Sequence, residues 1–593
     1  MRFAAPAVTV EKRAAGECVL RSPQTLGPYG RCVGDWLEGW SDRAPDRTFL
    51  AERDAGGRWS RLSYRGARDA VRSIAQGLIE LGGAPDRPVM LLSENSIDHA
   101  LVQLAAMHAR IPAAPISPAY SLASRDFAKL RTIAALVGPG VIFADDFSVY
   151  GAAAEAADLA HLPTVSSRGG ATTTVGDLAR TLPGRSSMRA FSSVNPDTIA
   201  KILFTSGSTG SPKGVVNTQR MLCSNQQAIS QVWPLLGNRP PVVVDWLPWS
   251  HTFGGNHNFN MVLSHGGTLY IDAGKPVPGR FEATIANLRE ISPTLYFNVP
   301  RGFDRLVDAL ERDEALAKTF FAELDLLFYA AAALPQSTWA RLERVAAWAR
   351  PRRGEPVAFV SAWGSTETAP LVTSVHFRID RAGVIGLPAP GCELKLVPTA
   401  DGAGKLEMRV RGPNVTPGYW EQGDVIPARL DADGFLPTGD AGRLQAPDAP
   451  ERGVVFDGRT AENFKLSSGS WVTVGELRVR VLAACAPHLL DAVVAGHDRE
   501  FVSLLVFAAP SELAPEALRE ALQAALREHN AEHGGSSTRI VRALIAEEPL
   551  SIDGGEITDK GYVNQGAVLA RRAALVEALY AEPPGSGVFA IDG

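Results

Sequence analysis

Cysteine is scarce in this chain of 593 residues, and no two cysteines stand in a CxxC pair. Cys18, Cys32, Cys223, Cys392 and Cys485 are odd in number and widely spaced. That pattern argues against a disulfide framework or a zinc site and suits free thiols in a reducing compartment. The opening residues, MRFAAPAVTVEKR, lack the apolar centre of a secretion signal. No unbroken apolar stretch approaches the ~20 residues that a membrane span requires. Both absences lead us to expect a cytoplasmic protein. Charge of one sign is also missing: 59 Lys and Arg against 64 Asp and Glu leave a net −5, with no long single-sign run. A nucleic-acid stripe and a polybasic membrane patch are therefore not expected. Any polyanionic ligand would have to be held by local groups, because the overall field weakly repels it.

What the chain does have is ordinary globular composition, 45% hydrophobic and 21% charged. Its length exceeds one compact core and predicts at least two domains. Apolar periodicity predicts helices at 67–81, 97–110, 218–232, 281–290, 303–312 and 336–348, with strands between them at 89–92, 113–116, 199–204, 242–245, 268–271, 294–298, 326–329 and 357–361. That alternation predicts an α/β fold with layered, mostly parallel sheets. Beyond about residue 380 a two-residue period with Gly and Pro turns predicts a β-rich subdomain. The run QAPDAPERG at 445–453 reads as a break. Helix, strand, strand, helix and strand over 475–546 then predict a small α+β domain. The expected division is 1–458 for a large domain and 459–593 for a small one.

The strongest local signal is Leu203-Phe204-Thr205-Ser206-Gly207-Ser208-Thr209-Gly210-Ser211-Pro212-Lys213-Gly214. A buried strand is expected to lead into it and a helix to follow. Its glycines allow positive φ and close approach of backbone to a ligand. Its hydroxyls, N–H groups and Lys213 are donors suited to phosphate oxygens. It is not the common NTPase loop, which needs GxxxxGK[S/T] with the lysine directly after the last glycine. Here Ser211 and Pro212 intervene.

This stretch resembles the phosphate loop of the acyl-adenylate-forming superfamily, which includes acyl- and aryl-CoA synthetases, luciferases and peptide-synthetase adenylation domains. Further motifs follow in that family's order. Leu247-Pro248-Trp249-Ser250-His251-Thr252-Phe253-Gly254-Gly255 resembles the acid-pocket motif, which implies that His251 meets the substrate carboxylate while Trp249, His251 and Phe253 line the pocket. Small residues at Ala330, Ala331 and Ala332 would leave space for a flat ring. Trp363-Gly364-Ser365-Thr366-Glu367 resembles the aromatic-Gly-x-Thr-Glu motif. The resemblance implies that Trp363 and Gly364 lie by the adenine, Thr366 contacts the α-phosphate, and Glu367 binds the Mg²⁺ that accompanies ATP. The family usually has Tyr where Trp363 stands. Asp440, in Pro437-Thr438-Gly439-Asp440, and Arg459 are implied to hold the ribose hydroxyls.

The run from Gly458 to Gly475-Glu476-Leu477 resembles the hinge between two domains, with Ala461 where Asp or Lys is usual and Val474 where Pro is usual. Lys465 matches a lysine of the thioester-forming state. Lys560, in Gly555-Glu556-Ile557-Thr558-Asp559-Lys560, matches the lysine of adenylation, although Asp559 replaces the usual glycine. An ammonium there would meet the charge gathering on a pentacoordinate α-phosphate. The resemblance thus implies a mobile small domain and two half-reactions: a small carboxylic acid is activated by ATP, and its acyl group then passes to coenzyme A. The cofactor-binding expectation covers Thr205, Ser206, Gly207, Ser208, Thr209, Gly210, Lys213, Trp363, Gly364, Thr366, Glu367, Asp440, Arg459 and Lys465; the catalytic one covers Lys560, His251 and Thr366. The runs PTLYFNVPRGFDRLV, LLFYAAAALP and GEITDKGYVNQ look most like feruloyl-CoA synthetases, which implies a hydroxycinnamate. A benzoate, a medium-chain fatty acid, or delivery to a separate carrier protein are the alternatives. The joint presence of Lys213, Glu367, Asp440, Arg459 and Lys560 speaks against a non-catalytic nucleotide binder.

Overall fold

The computed structural model describes residues 3–206, 211–277, 279–330, 334–350, 357–379, 383–399, 405–460, 462–509, 513–558 and 563–591, with Ser206 described by its backbone alone. The expected rhythm is present. Strands Val242–Asp245, Thr268–Ile271 and Leu326–Tyr329 and helix Phe281–Glu290 fall at the predicted bounds, and most other elements within a few residues of them. Helix Tyr64–Glu80 starts earlier than its apolar period suggested, because the Ser63 hydroxyl caps it by accepting the Gly66 N–H at 3.1 Å.

Three sheets build the large domain. One of nine strands carries Ile199–Ser206 and Pro212–Thr218 beside the parallel strands Ala113–Pro115, Val89–Leu92 and Val141–Ala144. One of four strands pairs Val242–Asp245 with Thr268–Ile271 in parallel. The largest, of eleven strands, joins a parallel run, Leu295–Asn298, Leu326–Tyr329 and Ala358–Gly364, to an antiparallel extension. Both faces of the parallel run are buried, which explains its continuous hydrophobic sequence. Leu295, Phe297, Leu326 and Phe328 turn to one core, and Tyr296, Leu327 and Tyr329 to the other.

Two long-range pairings were not foreseen. The segment 445–453 is not a break between domains: Leu436–Leu444 and Val454–Arg459 pair antiparallel across it within the eleven-stranded sheet. At that sheet's edge, Thr9–Lys12 pairs with Cys18–Arg21, which pairs with Glu393–Pro398.

The small C-terminal domain has its own cores, distinct from those of the large one. Helices Val474–Ala484 and Pro515–Glu532 accompany the sheet Leu489–Ala495, Val502–Ala508, Ile540–Ile545 and Val588–Ala590. The predicted helix, strand, strand, helix, strand succession is the observed one. Glu556 is fully buried and grips the Arg572 guanidinium in two hydrogen bonds of 2.6 and 2.8 Å. Arg572 also donates to the Glu548 and Pro549 carbonyls. No helix among the described residues is long and apolar enough to cross a membrane.

Lys201 is a charge-bearing side chain at the centre of the large domain, fully buried in strand Ile199–Ser206. Its Nζ donates to the Gly255 carbonyl at 3.1 Å and lies 6.0 Å from the Phe259 ring centre. Burial pulls its pKa down from the ordinary 10.5 to about 7. The same burial, with Lys201 nearby, lowers His99 to about 3.

Two stability predictions follow from these buried ions. Between about pH 7 and 10.5 the unfolded chain keeps a proton on residue 201 that the folded chain has released, so this group's contribution to stability rises with pH. Wild-type stability measured against Lys201→Met should therefore climb across that window; a flat difference in melting temperature would contradict it. Glu556→Ala leaves the Arg572 guanidinium buried without its counter-ion and should cost about 3 kcal/mol, read by denaturant unfolding of the intact chain.

Candidate active site

The glycine-rich run is a hairpin rather than a strand feeding a helix. Ile199–Ser206 turns back into Pro212–Thr218, with Thr205 opposite Lys213 and Ser206 opposite Pro212. Only then does helix Gln219–Val232 begin, capped by the Thr218 hydroxyl, which accepts the Met221 N–H at 3.3 Å. The β-branched Val215, Val216 and Thr218 favour this extra strand. Gly207, Ser208, Thr209 and Gly210, at the turn, lie outside the described residues. Lys213 points its ammonium at the Tyr419 ring, 5.6 Å from its centre.

Strand Ala358–Gly364 delivers the second motif. Gly364 is dictated by space: a Cβ there would sit 1.8 Å from the Pro370 carbonyl oxygen. The chain then makes a single 3₁₀ turn, Thr366–Thr368. Its backbone is held from three sides: Asn217 Nδ2 donates to the Thr366 carbonyl at 3.3 Å, the Thr416 N–H to the Glu367 carbonyl at 2.8 Å, and Asn414 Nδ2 to the Thr368 carbonyl at 2.8 Å. Thr366 is buried and Glu367 half-buried.

Trp363 and Asp440 meet directly. The indole Nε1–H donates to Asp440 Oδ2 at 2.9 Å. Asp440 faces Arg459 across paired strands, with Arg459 Nε 3.1 Å from Oδ1. That approach is an ion contact without hydrogen-bond alignment, so the buried Oδ1 has no aligned donor among the described residues. Burial pushes the Asp440 carboxyl above its usual range, against the pull of Arg459 and Trp363, and the Glu367 charge adds to the rise. Glu367 also raises the half-buried Tyr419 phenol, second to burial. Lys213, Tyr419, Glu367, Asp440 and Arg459 thus share one electrostatic neighbourhood.

The motif around His251 turns on close backbone approach. A Cβ on Gly254 would lie 2.4 Å from the Leu247 carbonyl oxygen, and one on Gly255 2.4 Å from that of Trp249. The chain continues as a π-helix, Phe253–Asn258, a wide turn often found at functional sites. Side chains from neighbouring elements hold its carbonyls: Lys201 reaches Gly255, and Gln226 Nε2 reaches Asn256 and His257 at 2.9 and 3.2 Å. Asn256 Nδ2 donates to Asn217 Oδ1 at 2.6 Å and to Thr252 Oγ1 at 3.1 Å. His251 is half-buried, and its Nδ1 accepts the Phe253 N–H at 3.3 Å.

Trp249 fills core space between His99 and Phe259, with ring centres 5.4 and 4.9 Å away, and is 1% exposed. The expected pocket wall is therefore packed interior at this position. Phe253 packs against Phe297 and Phe328. Ala330 follows strand Leu326–Tyr329 and borders the same core; Ala331 and Ala332 lie outside the described residues.

In the small domain Lys465 is exposed, its ammonium 4.9 Å from the centre of the Trp471 ring. Lys560 and Ala461, which was expected at the hinge, lie outside the described residues. The segment just before Lys560 rests on the large domain: Ser124 Oγ donates to Asp553 Oδ1 at 2.6 Å, the Arg125 N–H to Oδ2 at 3.0 Å, and Lys129 Nζ to the Ile552 carbonyl.

Sequence reading missed Lys201, Asn217, Gln226 and Asn256. The only trace they leave is polar letters inside apolar runs, as in IAKILF and VVNT. Among the described residues no three His, Cys, Asp or Glu side chains gather to cage a metal. Glu367 offers a half-buried carboxylate in the neighbourhood of Asp440 and Tyr419, which fits a divalent ion that arrives on a ligand's phosphates.

Comparison with known proteins now has a geometry to stand on. A family model described as AMP-binding enzyme matches residues 37–420, and a second, AMP-binding enzyme C-terminal domain, matches 466–583. Carboxylic acid reductase from Segniliparus rugosus is 27% identical over 426 residues, 65% of this chain and 33% of the reductase. The peroxisomal long chain acyl-CoA synthetase 7 of Arabidopsis thaliana is 26% identical over 374 residues, 55% of this chain and 51% of the synthetase. The matches thus span a third to a half of these relatives' lengths. Among solved structures, the anthranilate CoA ligase AuaEII in complex with anthranoyl-AMP superposes with a TM-score of 0.71 at 19% identity, covering 93% of this chain and 98% of that one. ATP-bound MatB from Rhodopseudomonas palustris gives 0.67 at 22% identity over 91% and 98%. At such identities the likeness speaks for the fold, a large N-terminal domain with a small C-terminal one. The match over 37–420, well beyond half of the chain, makes it a member of the AMP-binding enzyme family.

Proposed function

We propose that this protein is an ATP-dependent acid–CoA ligase that acts on ferulate or a related hydroxycinnamate. The observation that carries the proposal is Asp440: a buried carboxylate with one oxygen taken by Trp363 and the other lacking an aligned donor among the described residues, beside Arg459 and within the field of Glu367. A ribose hydroxyl is the donor such an oxygen requires.

In the proposed reaction a carboxylate oxygen of the acid attacks the α-phosphorus of ATP in line, and the bond to the pyrophosphate oxygen breaks. The thiolate of coenzyme A then attacks the acyl carbon, and AMP leaves. His251 orients the attacking carboxylate. Lys213 and the donors of 205–210 hold the β- and γ-phosphates, and Thr366 contacts the α-phosphate. Glu367 would hold the magnesium ion, which neutralises phosphate charge when bound. Positioning and charge stabilisation supply the rate, as in other phosphoryl-type transfers. Lys560 meets the charge on the α-phosphate in the first step. The second step uses Lys465 after residues 459–593 turn about the 458–461 hinge, a motion that breaks the hydrogen bonds of Asp553 and Ile552 to Ser124, Arg125 and Lys129.

The aromatic acid is favoured by the rings of Phe253, Phe297 and Phe328 next to Ala330. The named acyl-CoA synthetases and AuaEII support thiol ligation, the last with an aryl acid. The carboxylic acid reductases favour a second reading, transfer of the acyl group to a carrier protein. Omitting acid, ATP and coenzyme A in turn while following AMP and thioester separates the two. Thioester formed with free coenzyme A supports the first reading, and AMP release that coenzyme A never accelerates removes it.

Lys560→Ala should lower adenylation at least about 100-fold while thioester formation from supplied acyl-AMP persists; equal loss in both half-reactions removes that role. Asp440→Ala should weaken AMP and ATP binding about 10- to 100-fold, the value of a hydrogen bond to a charged group. Calorimetry of the folded variant reads it, and unchanged affinity would contradict the ribose assignment.

A further inference from the structure

His257 lies in the middle of the π-helix and is 1% exposed. Four aromatic rings enclose its imidazole. Phe328 stacks on it with ring centres 4.9 Å apart, while Phe297, Trp233 and Phe253 stand edge-on at 5.6, 5.8 and 5.9 Å. Nδ1 is engaged, 2.8 Å from Asn258 Oδ1. The Asn258 Nδ2 donates in turn to Asp245 Oδ2 at 2.8 Å, and Asp245 Oδ1 accepts the Leu247 N–H at 3.0 Å.

This chain of bonds fixes the tautomer. Burial raises the Asp245 carboxyl to about 7; in its ionised form both oxygens act as acceptors, so the Asn258 amide presents its NH₂ to Asp245 and its oxygen to His257. Nδ1 therefore carries the proton and Nε2 keeps a bare lone pair. Burial lowers the imidazole pKa to about 4, which keeps it neutral. Nε2 has no hydrogen-bond partner among the described residues. The one donor in the surrounding rings, Trp233 Nε1–H, is spent on Ser374 Oγ at 3.1 Å. A buried acceptor left without a donor is costly, and a donor carried by a bound ligand would relieve that cost.

The aromatic box shares its walls with the proposed acid site. Phe253 stands two residues after His251, and Phe328 belongs to the same core that Ala330 borders. We infer that His257 Nε2 accepts a hydrogen bond from a donor on the end of the acid remote from its carboxylate, so that the site selects phenolic aryl acids over aryl acids without a ring donor. The inference rests on the acid-ligase reading and names the substrate class for that site.

The test compares 4-hydroxycinnamate with 4-methoxycinnamate, which keeps the ring and its oxygen, adds one methyl group and lacks the donor. Wild type, His257→Phe and His257→Gln are followed by pyrophosphate release and, without turnover, by quenching of tryptophan emission on acid binding. Wild type should prefer the phenol about 10- to 100-fold. His257→Phe keeps an aromatic ring in the box and should bring the ratio close to one, because the phenol loses more than its methyl ether. His257→Gln, with an amide oxygen as acceptor, should restore part of it. A merely structural role would lower both acids together and leave the ratio intact.

A wild-type ratio near one overturns the inference whatever the variants do, as does a ratio that survives in folded His257→Phe. If wild type binds neither acid, the inference also falls. If no acid releases pyrophosphate yet the binding preference exists and vanishes in His257→Phe, the ligase reading fails and the His257 assignment stands.

Discussion

The side-chain amide of Asn217 binds three distant stretches of chain to one another. Its oxygen accepts from Asn256 in the π-helix, and its NH₂ donates to the carbonyl of Thr366 in the 3₁₀ turn. Asn217 itself belongs to the strand that returns from the glycine-rich turn. Asn217 and Asn256 are fully buried, so neither hydrogen bond competes with water. Each is worth only about 1 kcal/mol net, but a broken one strands a buried polar group at about 1–3 kcal/mol. That asymmetry locks the relative placement of the phosphate-loop hairpin, the His251 segment and the Trp363–Glu367 segment more firmly than packing alone would.

Around this junction the protein accepts local costs that a purely structural core avoids. Three glycines, Gly254, Gly255 and Gly364, stand where any side chain would collide with a backbone oxygen. A lysine with no carboxylate partner among the described residues holds a π-helix carbonyl. Besides His257, Gln103 and Asn260 bury polar atoms with no partner among the described residues. Costs of this kind at the meeting point of three motifs suit a fold shaped by something besides stability.

How much of this was legible in the sequence depends on the range of the interaction. Strands such as 242–245 and 326–329 could be read because apolar period and turn residues act locally. The motifs could be read because steric and charge demands fix residue types at fixed spacing, as the glycine before Ser365 illustrates. Strand Pro212–Thr218 was missed because its signal, two valines and a threonine after a loop, is short, and what stabilises it is pairing with Ile199–Ser206 on one side and Gly418–Glu421 on the other. The hairpin across 445–453 passed for a break because a Pro-rich turn looks the same inside a sheet as between domains. Trp249 was expected at a pocket wall because aromatic residues near a functional histidine look alike whether they face a ligand or the core. Asn217 and Asn256 lie 39 positions apart, and nothing in either local run announces the other.

The edge of the eleven-stranded sheet bears on how the protein is made. The hairpin Thr9–Lys12 and Cys18–Arg21 finds its neighbour in Glu393–Pro398, and the Arg21–Glu393 ion pair closes a separation of 372 residues. A two-stranded hairpin is marginal by itself in water. At about 5–20 residues per second on the ribosome, the first strands wait roughly 20–75 s for the strand that receives them. Throughout that interval an unpaired edge is available to any other nascent chain. The charged side chains Glu11, Lys12, Arg13 and Arg21 on this hairpin are the kind of residue that keeps such an edge from pairing before its own partner is synthesised.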